Sequence, residues 1–102
     1  MANSASGSHG LFISGEKTVS SSGTAVALAT SGLYRSVSIV AKAANTGQVY
    51  VGGADVTTST NDGLDAGEVL NITGGPAHAI YLDDIYLDVD TGGEGVDFYA
   101  AV

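Results

Sequence analysis

The sequence predicts an all-β protein: an antiparallel β-sandwich or jelly roll of about eight short strands with an extended N-terminal arm. Three observations predict it. Apolar and polar residues alternate along most of the chain, and nowhere do apolar residues recur at helical spacing over several turns. Clusters of Gly, Asn and Ser interrupt these runs at intervals of roughly ten residues. A chain of 102 residues, 44% of them hydrophobic, can bury one core and little more.

The elements follow in order. Residues 1–10 are rich in Ser, Gly and Ala and lack periodicity. They form an arm outside a single β domain of residues 11–102. Such an arm is disordered alone in water and is expected to lie on a neighbour in an assembly, the alternative being that it folds back on its own domain. Leu11-Phe12-Ile13 is an apolar triplet that either packs in the core or anchors the arm on another subunit. Residues 17–20 form a short edge strand. Residues 24–30 put Val26 and Leu28 on one face. Residues 35–43 are the longest run, with Val37, Ile39 and Ala41 inward and Ser36, Ser38 and Val40 outward. Residues 48–51 turn Val49 and Val51 inward and Tyr50 outward. Residues 68–73 bury Leu70 and Ile72, and residues 79–82 bury Ile80 and Leu82. In residues 84–89, Ile85, Leu87 and Val89 alternate with Asp84, Tyr86 and Asp88. Residues 95–102 close the chain with Val96, Phe98 and Ala100 inward. Turns fall at Ser22-Gly23, Asn45-Thr46-Gly47, Asn61-Asp62-Gly63, Gly74-Gly75-Pro76 and Gly92-Gly93, where Gly and Asn supply positive φ.

Composition narrows the function. The formal net charge is −8, from 11 acids against three cations, Lys17, Arg35 and Lys42. Nucleic-acid binding needs clustered cations, and an anionic membrane needs the same, so neither partner is expected. No apolar run approaches the roughly 18 residues of a membrane span. There is no Cys to build a disulfide or a thiolate metal site. The N-terminus lacks the basic and apolar regions of a signal peptide, which implies synthesis in a cytoplasm without export by that route. Only 14% of residues are charged, against roughly 25% in an average domain. A surface solvated by hydroxyls and amides suits faces that neighbours cover, and it equally suits a plain Thr-rich β domain.

The densest chemical feature is acidic. Asp83, Asp84, Asp88, Asp90, Glu94 and Asp97 crowd the C-terminal third. Asp88-Val89-Asp90-Thr91-Gly92 looks like the start of a calcium loop, which makes Asp88 and Asp90 the metal candidates. However, Gly92 occupies the third ligand position, and no bidentate Glu closes the loop. The other reading is a hairpin whose acids face solvent and discourage edge-to-edge aggregation. His9 and His78 accompany no nucleophile elbow, and no phosphate loop follows a strand. The chain is therefore expected to be no enzyme and to use no cofactor. Tyrosines at turn or outward positions offer apolar area and a hydroxyl together, as interfaces favour. Leu11, Phe12, Ile13, Tyr50 and Tyr86 are the candidate protein-interface residues.

The succession Lys17-Thr18-Val19, Thr24-Ala25-Val26-Ala27-Leu28, Asn45-Thr46-Gly47-Gln48-Val49-Tyr50-Val51 and Leu64-Asp65-Ala66-Gly67-Glu68 resembles small structural proteins of tailed bacteriophages. So does the ending Leu82-Asp83-Asp84-Ile85-Tyr86-Leu87-Asp88-Val89 with Gly95-Val96-Asp97-Phe98. The likeness spans residues 16–102 and carries no catalytic signature. It implies a capsid decoration (cement) protein on the virion surface, bound to the major capsid protein and self-associated as a homotrimer. A neck, tail or fibre component is the alternative. A calcium-dependent carbohydrate-binding module is the alternative that the acidic turn suggests.

Overall fold

The computed structural model describes residues 12–59, 62–75 and 77–102. Within them the chain is all-β and antiparallel, with one short 3-10 turn. The strands are β1 (Phe12–Thr18), β2 (Val26–Ala27), β3 (Leu33–Tyr34), β4 (Ser36–Ala41), β5 (Val49–Gly52), β6 (Val69–Thr73), β7 (Ile80–Tyr81), β8 (Tyr86–Val89) and β9 (Gly95–Ala101). A four-stranded major sheet runs β1-β9-β4-β6, a three-stranded minor sheet runs β2-β8-β5, and β3 pairs with β7 in a small third sheet. No helix among the described residues is long and apolar enough to cross a membrane.

The two larger sheets pack as a sandwich. Val37, Ile39 and Ala41 of β4 and Val96, Phe98 and Ala100 of β9 supply the major sheet's half of the core. Leu87 and Val89 of β8 and Val49 of β5 supply the other half, with Val19, Leu28, Leu82 and Ile85 closing the ends. Burial of each such Val, Leu or Ile contributes about 1.5–3 kcal/mol. The alternation expected for residues 35–43, 84–89 and 95–102 is therefore the alternation that builds the core.

Three elements differ from expectation. The first strand is not a short stretch at 17–20 but the seven residues Phe12–Thr18, paired with β9 from Ala101↔Phe12 to Gly95↔Thr18. Its inward side carries Ile13, Gly15 and Lys17, so no apolar alternation marks it. Gly15 is inward because Phe98, its cross-strand partner, lays its ring there. A Cβ at Gly15 would stand 2.6 Å from the Phe98 Cζ atom. Residues 33–34, which no expected strand included, form a short strand. The expected strand 84–89 is shortened by the 3-10 turn Leu82–Asp84, so β8 begins at Tyr86. The arm of residues 1–10 and Leu11 lie outside the described residues.

Candidate functional site

Each sheet turns its other face outward, and the two outer faces are built differently. On the minor sheet, Tyr50 of β5 and Asp88 of β8 form a cross-strand pair on the outer side. Both were expected in solvent, Tyr50 as an interface residue and Asp88 as a hairpin acid or calcium ligand. Both are buried instead, Tyr50 to 7% exposure and Asp88 to 1%. Loops of the same chain cover them. The turn around Gly23 bends over the sheet and donates its N–H to Asp88 Oδ1 at 2.9 Å. Gly23 adopts φ 89°, a conformation few side chains tolerate. Asp88 Oδ1 also accepts from the Val89 N–H at 2.8 Å. On the other side Gly63 packs so close that a Cβ there would lie 2.9 Å from the Tyr50 ring. Val56, in the same connection between β5 and β6, is buried at 5% exposure. The Tyr50 hydroxyl keeps partners, Asp90 Oδ1 at 3.1 Å and Gln48 Oε1 at 3.2 Å. Burial, and then the Asp90 carboxylate, raise its pKa above the ordinary tyrosine value.

The neighbouring acids serve the same end of the sandwich. Asp90 Oδ2 accepts from the Gln48 N–H at 3.0 Å. Glu94 reaches across to the turn Asn45-Thr46-Gly47. There it accepts from the Thr46 N–H at 2.7 Å, the Thr46 hydroxyl at 2.9 Å and the Gly47 N–H at 3.0 Å. Backbone donors from Gly47, then Thr46, hold its carboxyl below the usual carboxylate range. Asn45 completes the clasp by donating to the Gly95 carbonyl at 2.8 Å. Asp88, Asp90 and Glu94 thus tie backbone N–H groups of two loops, the Gly23 turn and residues 46–48, to one hairpin. Among the described residues, no three acidic or His side chains come together as a metal-binding group.

Among the described residues, nothing covers the outer face of the major sheet. Strand register places Phe12, Ser14 and Glu16 of β1 beside Ala101, Tyr99 and Asp97 of β9. Beyond them lie Ser36, Ser38 and Val40 of β4 and Thr73, Asn71 and Val69 of β6. Hydroxyls and amides dominate, and Ser38 donates to the Asn71 carbonyl oxygen at 2.6 Å. Two aromatic rings stand on this polar ground. Phe12 is 65% exposed and Tyr99 43% exposed. They occupy diagonal positions and stack, with ring centroids 6.5 Å apart and planes at 15°. Beside them Lys42 donates to Glu16 Oε1 and Asp97 Oδ1, both at 2.7 Å. The hydrogen bond to Asp97, then that to Glu16, raises the Lys42 pKa above its ordinary value. Ser14, Gly15, Glu16, Lys42, Asp97 and Tyr99 line a shallow concavity of about 470 Å³.

Of the residues singled out from sequence, the structure sets Phe12 on this open face. Ile13 points inward and packs against the core. Tyr86 is half-buried on β8. Tyr99 and Lys42 belong to the surface and were not chosen from sequence. The signal for Tyr99 was its outward position on β9, but its pairing with Phe12 needs the β1–β9 register. Compared with family models, curated proteins and solved structures, the chain matches none.

Proposed function

We propose that the chain is a virion structural protein, a decoration protein that binds the outer surface of a phage head through its open sheet face. The observation that carries this reading is the Phe12–Tyr99 stack, two large rings left in solvent on an ordered, low-charge sheet. Rigid aromatic side chains lose little entropy on docking and recur as anchors of protein interfaces. The protein acts by binding rather than by catalysis. A ligand that binds only the assembled lattice stabilises it by mass action. Many copies on one lattice add avidity without any new contact. The phage context rests on the strand-and-turn resemblance set out above.

The test is the copy number per purified particle, measured by quantitative mass spectrometry alongside imaging of intact particles. Head decoration predicts hundreds of copies spread over the capsid. A dozen or so copies confined to a neck or tail ring would replace this reading with the tail alternative. Absence from particles would end both.

A further inference from the structure

The major sheet has two edges, and they are not equivalent. Its β1 edge carries Glu16 and Lys17, the latter on the inward side. Charges on an edge, above all inward ones, block pairing with another strand. The β6 edge, Val69-Leu70-Asn71-Ile72-Thr73, carries no charge at all. Among the described residues no strand pairs with its outer side. Ala41 donates to the Glu68 carbonyl at 3.0 Å, and Gly74 donates to the Arg35 carbonyl at 2.7 Å. By the alternation of an antiparallel ladder, the backbone groups of Leu70 and Ile72 then face β4. Those of Val69, Asn71 and Thr73 face the free edge.

We infer that two copies of this chain pair through β6, antiparallel and two-fold symmetric about Asn71. This register is the one in which every pair matches. Asn71 meets Asn71 of the second copy, and Val69 meets Thr73 on the same outer face. Leu70 meets Ile72 on the inner face, where both are only half-buried in the single chain. All backbone groups on the free edge find partners. One step further, Glu68 falls opposite Gly74 of the second copy. Arg35 stands in the same row, one strand beyond that glycine. Both side chains keep partners within their own chain, Arg35 donating to the Gly75 carbonyl at 2.9 Å and Glu68 accepting from the Asp65 N–H at 2.8 Å. No like charges oppose one another anywhere along the pairing. The result is a continuous sheet that carries both Phe12–Tyr99 stacks on one face. A dimer replaces the trimer that the resemblance implies. The inference does not depend on a particle, because it concerns the purified chain.

Sedimentation equilibrium across micromolar to millimolar concentration tests it. A monomer–dimer equilibrium is expected, with a weak dissociation constant because the contact is one strand wide. Asn71→Lys and Asn71→Asp should each weaken it several-fold by placing like charges opposite each other. Mixing the two variants should restore a heterodimer. Ser14→Lys on the β1 edge should leave the equilibrium unchanged. Circular dichroism checks that each variant is folded. Should the charged variants fail to fold, Asn71→Cys in this Cys-free chain should oxidise to a disulfide-linked dimer. A monomer at every concentration, a trimer, or a dimer indifferent to the charge at 71 would overturn the inference.

Discussion

Tyr50 and Tyr99 occupy equivalent places in the two sheets. Each sits on an outward position of a strand, flanked by inward residues that build the core. Yet Tyr50 is 7% exposed and Tyr99 43% exposed. Nothing in either strand produces the difference. It comes from the loops. The turn at Gly23 and the segment around Gly63 fold over the minor sheet, and no described segment folds over the major one. Among the described residues the sandwich therefore has one face covered by its own chain and one face uncovered. Polar chemistry follows the same division. On the closed side, carboxylates spend their lone pairs on backbone N–H groups. On the open side, Glu16 and Asp97, both exposed, share one half-buried lysine, the kind of surface pair that contributes little to stability.

The comparison can be broken hardest at Asp88. Asp88→Ala leaves the buried Val89 N–H and the Gly23 N–H of an exposed turn without their acceptor, at a cost of about 1–3 kcal/mol. Denaturant titration should show it as a lower midpoint. Asp88→Asn, which keeps an acceptor oxygen, should lose less. The two tyrosines give the next largest contrast. Tyr50→Ser should lower the melting temperature clearly, because the ring fills a covered site and its hydroxyl is bonded. Tyr99→Ser should leave melting close to that of the parent chain. Equal losses at the two positions would mean that both faces are covered.

Titration sharpens the contrast further. Glu94 has its folded pKa held below the ordinary 4.5. Its contribution is present above that ordinary value and is lost as pH falls through the folded value. Stability measured against pH should therefore decline on the acid side, and Glu94→Gln should flatten that limb. Lys42 is opposite in sign, with its folded pKa raised above 10.5. Its contribution is complete below 10.5 and fades as pH rises through the folded value. The alkaline effect should be the smaller, since water screens the exposed pair. The smallest change is expected for Phe12→Ser, within about 0.5 kcal/mol, as for other surface substitutions.

The sequence shows best what strand periodicity encodes. Val37, Ile39 and Ala41, or Val96, Phe98 and Ala100, announce both a strand and the face it buries. β1 does not, because its inward Gly15 exists to receive the ring of Phe98, a residue 83 positions later. The closed face is equally silent. Asp88 reads as a solvent acid until Gly23, 65 residues away in sequence, is seen to donate to it. Its alternation with Leu87 and Val89 correctly sets it on the outer side, but that side is roofed by a loop that no local pattern describes. The open face was half legible. Phe12 stood out as apolar next to a polar arm, whereas its stacking on Tyr99 depends on register between strands at opposite ends of the chain. Tyr50 was misread for the converse reason: an outward tyrosine looks the same in sequence whether its cover is another protein or its own loop.

The open face as a working surface is tested most directly by the double variant Phe12→Ser, Tyr99→Ser. Its occupancy on particles, measured against the parent chain in the same preparation, should fall by about tenfold or more, the loss expected for an aromatic anchor pair. Its melting temperature should stay near that of the parent. Full occupancy by a folded double variant would contradict the assignment of that face to binding.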